Sequence, residues 1–227
     1  MANKKTNEIV AQLQVKAQLK AHIIKVANLS FGTLGQVLGK LTEEYNAMLD
    51  ESGVKVELKH PSERVLQISA DEDTLIFSLQ TNVFQFDRDH EAWQTEYVKE
   101  NAIRSYACVV NIYNFLTDSF KYDRDEDLGY LVARVFINAE GSFFVEGKRQ
   151  KGMGSKDYGT KLLDADNWRK IVETALKYCI DFDLLVPPYD NVKVTDLAHM
   201  NLEIMLSKTK TGKRLGFQFN SDDVKDN

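Results

Sequence analysis

Residues 147–156, Gly-Lys-Arg-Gln-Lys-Gly-Met-Gly-Ser-Lys, gather four cations (Lys148, Arg149, Lys151, Lys156) and three glycines. They follow a stretch of strand character, so backbone amides and positive side chains there could converge on a phosphate. The order is not that of a P-loop: the G-x-x-x-x-G-K-[ST] pattern is missing and no helix starts directly after the glycines. A second basic cluster, Lys208, Lys210, Lys213 and Arg214, falls at a turn near the end of the chain. If the two clusters share a face, they form an anion footprint suited to a nucleotide or a nucleic-acid backbone. The competing account is that both are solvated hairpin tips, where lysines also guard strand edges. Aromatic side chains lie near but are not interleaved with the cations, which weakens the nucleic-acid version.

The strand before the basic loop reads Phe143-Phe-Val-Glu146-Gly-Lys148. It resembles the E-x-K strand of the PD-(D/E)xK nuclease family. The resemblance implies a metal-dependent nuclease in which Asp127 or Asp125 joins Glu146 in holding Mg2+ or Mn2+, with Lys148 stabilising the attacking water. A turn centred on residues 139 and 140 sets Glu146 opposite Ala133 or Arg134. Asp127 then lies some six residues further along, about 20 Å at roughly 3.3 Å per residue, a separation that only a bend or a register shift closes.

Other polar clusters have simpler accounts. The loop Asp123-Arg-Asp125-Glu-Asp127-Leu-Gly129 starts like an EF-hand, but Leu128 stands where glycine is needed and Arg134 where glutamate is needed, which leaves a solvated acidic turn. Asp87, Asp89, His90 and Glu91 bring metal-capable types together, yet an aspartate cap and a first-turn glutamate explain most of them. His90 is kept as a weak ligand candidate. The histidines at 22, 60, 90 and 199 are scattered, and no G-x-S-x-G elbow, C-x-x-C pair or dinucleotide glycine fingerprint is present. Cys108 and Cys179 sit in apolar patterns that predict two buried thiols in a reducing compartment.

These groups need elements to hold them. Residues 4–29 predict a helix with Val15, Leu19, His22, Val26 and Leu29 along one face. Asn28, Ser30 and Gly32 predict a break, followed by a second helix with the stripe Leu34, Leu38, Leu41, Tyr45 and Met48, closed by Gly53. From Val54 the period becomes two. Strands are expected at 54–58, 64–69, 74–79 and 82–87, an antiparallel meander. Residues 102–120 repeat Ala102, Tyr106, Val109, Tyr113, Leu116 and Phe120 at helical spacing, which predicts a central core helix. Residues 129–137 and 142–149 form a hairpin around the turn 138–141. A helix at 166–179, an apolar run at 182–186 and a terminal hairpin at 202–207 and 214–220 complete the chain. Trp93 and Trp168 at similar points raise the option of a duplicated ββα unit.

The whole is expected to be α+β, with mostly antiparallel sheet around a long central helix. Residues 1–53 form an N-terminal helical arm, 54–220 an α+β domain and 221–227 a polar tail. With 227 residues, 43% apolar side chains, three prolines and twelve glycines, disordered and collagen-like classes are excluded. A net charge of −5 offers no global field for nucleic acid or acidic membranes, so any anion site is local. Neither a secretory signal nor a run long enough to span a bilayer is found, which points to the cytoplasm. The functional expectation is a non-catalytic cytoplasmic binding or adaptor protein without a cofactor. It would meet a protein partner or a second copy of itself through the N-terminal helix, and an anionic ligand through the basic loops. The alternatives are the nuclease and a purely structural subunit.

Overall fold

In the computed structural model of the chain, the described residues are 2–125 and 127–181, with short pieces at 184–185, 193–194, 196–198, 200–201 and 218–219. The architecture is α+β. A six-stranded antiparallel sheet runs in simple chain order: β1 (Val56–Ser62), β2 (Val65–Ala70), β3 (Asp73–Gln85), β4 (Tyr106–Leu116), β5 (Tyr130–Asn138) and β6 (Phe143–Gly147). Helix α1 (Ala2–Leu49) precedes it. Two five-residue helices, α2 (Glu96–Glu100) and α3 (Thr117–Lys121), flank β4, and α4 (Ala165–Ile180) follows the sheet.

Helices α1 and α4 pack together and cover one face. Ile23, Ala27, Phe31, Leu34, Val37, Leu38 and Leu41 of α1 join Ile171, Val172, Ala175 and Cys179 of α4. Against them lie the inward residues of the sheet, among them Leu75, Phe77, Cys108, Val110, Ile112, Val135 and Ile137. The opposite face carries a smaller aromatic core under residues 86–105, the connection between β3 and β4.

Several expectations change. The core helix at 102–120 is strand β4, preceded by a 3-10 turn at Ala102–Ser105 and followed by α3. Both faces of β4 are covered: Cys108, Val110 and Ile112 face the helices, while Ala107 and Val109 face the aromatic core. A strand buried on both sides loses its polar alternate residues, so its pattern no longer distinguishes period 2 from 3.6. The β-branched and aromatic residues of YACVVNIYNFL carry the strand signal instead. With β4 a strand, the duplicated ββα unit also falls.

The break expected at 28–32 is absent, and α1 runs unbroken for 48 residues. A mid-helix glycine costs about 1 kcal/mol, and tertiary packing outweighs it here. Ser30 is buried and accepts a hydrogen bond from Trp168 of α4. Of the expected stripe, Val15 and Leu29 are exposed (65% and 66%) while Leu19 and Val26 are half-buried against the core; the fully buried face runs instead through Ile23 and Ala27 and on into the expected Leu34, Leu38 and Leu41. The helix therefore meets the body from Leu19 onward, and only the part before it projects.

The separate strands expected at 74–79 and 82–87 are one strand, β3, with a register irregularity between Gln80 and Phe84 where it pairs with β4. The 129–149 hairpin matches the expectation in register, with Arg134 opposite Glu146, Gly141 at φ +73 in the turn, and Asn138 Oδ1 accepting from the amides of Glu140 and Ser142. Most of the terminal hairpin lies outside the described residues; Gln218–Phe219 pair with Leu184–Leu185.

Candidate functional site

The β3–β4 connection folds back over the sheet because its ends are tied, Phe86 N–H donating to Ser105 O at 3.1 Å. Phe86, Phe136, Phe144 and Tyr158 pack beneath it, Phe136 stacked on Phe144 with centroids 4.8 Å apart and Tyr158 edge-on to Phe144 at 5.0 Å. His90 stacks on Phe86 at 4.7 Å and caps the 3-10 turn Glu91–Gln94, its Nδ1 accepting from Ala92 N–H at 3.1 Å. The cap is therefore His90 and not a neighbouring aspartate. An amide can only donate, so Nδ1 is the acceptor and the ring proton sits on Nε2. That Nε2–H meets Glu146 Oε1 at 2.9 Å, while Arg134 donates to Glu146 Oε2.

Glu146 of the E-x-K strand thus has both carboxylate oxygens engaged by groups that would have to be displaced before a metal could bind. Asp127 is elsewhere. It lies seven positions before Arg134, accepts from Ser119 Oγ at 2.6 Å and pairs with Arg124 at 3.4 Å. Asp125 is exposed in the same loop. The structure does not bring these carboxylates together, and among the described residues no group of three or more His, Cys, Asp or Glu is placed to hold an ion. The arrangement does not fit the Mg2+ or Mn2+ centre that the nuclease resemblance implies. A clasp between the cover and the sheet describes Glu146 better than a ligand does.

The basic loop is folded tightly on itself. The amides of Lys148, Lys151 and Gly154 donate to Val132 O, Arg149 O and Asp157 Oδ2, so they do not converge on an outside anion. Arg149, at φ +58, pairs with Asp181 and stacks over the Tyr178 ring. Buried Met153 and Gln150 anchor the loop, Met153 O accepting from Val145 N–H at 2.6 Å and Gln150 Nε2 donating to Ile171 O. Lys151 and Lys156 stay exposed. Lys208, Lys210, Lys213 and Arg214 lie outside the described residues, as does His199.

At the other end of the cover, Glu140 in the β5–β6 turn accepts from Arg104 Nε and Tyr97 Oη, both at 2.8 Å, and Arg104 stacks over the Tyr97 ring. The Arg104 hydrogen bond holds the Glu140 carboxyl below its ordinary value despite partial burial, while desolvation raises the phenols of Tyr97 and Tyr158. Cys108 and Cys179 are buried and unpaired with each other; burial pushes Cys108 up to about 11 and Cys179 upward as well. Neither is a nucleophile at neutral pH.

Among the described residues, two features stand open to solvent. A cleft of about 820 Å3 opens between α1 and the β1–β2 hairpin, lined by Phe31, Leu66, His60 and Arg64, with open space beside Gly32. The other is the first part of α1: every residue from 4 to 18 is exposed, including Ile9 (48%), Val10 (47%) and Leu13 (63%). Among the described residues no helix is long and apolar enough to cross a membrane.

The fold and these contacts define an α+β protein whose meander sheet is covered by two helices on one face and by a clasped connection on the other. Compared with models of known families, with curated proteins and with solved structures, the chain finds no match in any of the three.

Proposed function

We propose that this chain is a non-catalytic binding protein that engages a macromolecular partner through the projecting start of α1. The observation that carries the reading is the unbroken exposure of residues 4–18 on a helix that is part of the core further along. Fifteen residues at about 1.5 Å each extend some 22 Å from the body. Such a segment gains nothing from tertiary packing, and an isolated helix of its length is marginal in water. Here the buried half of α1 supplies the nucleus and holds the segment out. Ile9 and Leu13 are one turn apart on one face, and fully burying each against a partner would contribute roughly 1.5–3 kcal/mol. The clasped Glu146 and the internally bonded basic loop leave catalysis and phosphate cradling less well supported than partner binding.

The test compares wild type with Ile9→Ser/Leu13→Ser. Light scattering over a concentration series detects self-association, and immobilised protein captures partners from a cell extract. Association that disappears in the variant, at an unchanged melting temperature, supports the reading. Association equal in both proteins, or absent in wild type, overturns it.

A further inference from the structure

The buried seam of α1 has a regular step. Ile23, Ala27, Ser30, Leu34, Val37 and Leu41 alternate spacings of four and three, and all six are buried against the body. Continued toward the start of the chain, the same register passes through Lys20, Lys16, Leu13 and Ile9, all exposed. The step is that of a coiled-coil seam, in which the knobs of one helix enter holes of another. Inside the body the seam is apolar but for Ser30. Ahead of Ile23 two of its four exposed sites are lysine, Lys16 on the projecting segment and Lys20 at its base.

From this geometry we infer that the partner of the projecting segment is a helix with acidic side chains opposite Lys16 and Lys20 and apolar ones opposite Ile9 and Leu13. The inference rests on the proposed binding function and names the chemistry of the partner. Charge selects it. Residues 2–25 hold five lysines and one glutamate, net +4, on a chain whose total is −5. A second copy laid parallel on the first would press Lys16 on Lys16 and Lys20 on Lys20 within the seam, where desolvation magnifies like-charge repulsion. An acidic seam turns the same two sites into attractive pairs and fixes the register. The lysine stems still cover apolar surface while their ammonium groups reach the partner's carboxylates.

The experiment uses the full chain and two synthetic amphipathic peptides with leucine seams, one carrying glutamate and the other lysine at two consecutive seam sites. Fluorescence anisotropy is read at low and high salt, with heparin and phosphatidylserine vesicles as further probes, and amide exchange reports on residues 4–20. The expected result is glutamate-peptide binding at least about tenfold tighter than lysine-peptide binding, weakened by salt, with slowed exchange in the segment. In Lys16→Glu/Lys20→Glu, whose substituted sites are exposed and leave the melting temperature unchanged, the preference reverses. Equal binding of the two peptides, or arm-dependent self-association in place of either, overturns the acidic partner but leaves the binding function standing. Heparin or vesicles protecting the segment while neither peptide does would replace a helical partner with a polyanion or a lipid surface. If no probe protects the segment and the chain stays monomeric, the inference and the function beneath it both fall.

Discussion

The indole nitrogen of Trp168 donates to Ser30 Oγ at 3.0 Å, joining α4 to α1 across 138 positions of sequence. Trp168 is fully buried and Ser30 is 8% exposed, so neither group has ready access to water. Ser30→Ala removes the acceptor and keeps the helix, leaving an unpaired N–H in the core. That costs about 1–3 kcal/mol, read as a lower urea midpoint at unchanged slope. Ser30→Ala/Trp168→Phe should cost less than the two single changes added together, because neither side then holds an orphan. Strict additivity would mean that the bond contributes nothing.

Gly147 marks a close approach. A Cβ there would sit 2.6 Å from Ala133 Cβ and 2.8 Å from Val132 O, beside the register shift where β4 meets β5. Both obstacles are fixed by the sheet and cannot swing away. Gly147→Ala is expected to cost about 1–3 kcal/mol through overpacking and backbone displacement. Gly141 gives the contrast. At φ +73 an alanine is strained, but its Cβ meets only Val26 at 3.9 Å, so the cost is about 1 kcal/mol. Denaturation midpoints ranking Gly141→Ala below Gly147→Ala would contradict this.

The His90–Glu146 pair predicts where the cover loosens. His90→Ala removes the cap on Ala92, the ring on Phe86 and the donor to Glu146 together, while Glu146→Gln keeps an acceptor for Nε2 but weakens the Arg134 contact. Amide exchange across 87–105 should speed up several-fold in His90→Ala and less in Glu146→Gln, with α1 and α4 unaffected. Exchange unchanged in both variants would show that the aromatic core holds the cover by itself.

What the sequence discloses depends on how far apart the interacting residues are. The β5–β6 hairpin is legible to within one position, with Arg134 opposite Glu146 where Ala133 or Arg134 is expected, because one local turn sets the register. The burial of both cysteines is legible from their apolar neighbours. Strand β4 is not, because its alternation vanishes once α1 and α4 cover one side and the aromatic core the other. The continuity of α1 through Ser30 is hidden for a related reason, since what stabilises it is Trp168. Glu146 is visible as chemistry in the motif, but its partner His90 lies 56 positions away and reads locally as a metal-ligand candidate beside Asp87, Asp89 and Glu91, with nothing to connect it to Glu146. A helical arm is legible at the start of α1, but the point where it joins the body is not, because the seam through Ile23 and Ala27 competes with the stripe through Leu19 and Val26, which is only half-buried. Only packing decides between them.

The other anchor of the cover carries a dependence on acid whose sign follows from Glu140. Glu140 accepts from Arg104 and Tyr97, and the Arg104 bond holds its carboxyl below the ordinary 4.5, so the native state binds this proton less readily than the unfolded chain does. A depressed carboxyl contributes stability that is present above its unfolded pKa and is lost as the pH falls through the native value. In Glu140→Gln the amide oxygen still accepts one hydrogen bond, but the charge is gone at every pH. Wild type should therefore melt above the variant at neutral pH. The gap should hold down to about pH 5 and shrink as the medium is taken below the ordinary carboxylate range. Because Arg104 also donates to Tyr97 O and stacks on the Tyr97 ring, the variant keeps its fold and only the pH-dependent part of the difference reports the ion pair. Melting curves of the two proteins from neutral to acid pH make the comparison. A gap that stays constant into acid would assign the loss to shape rather than charge, and one that widens would reverse the sign of the argument.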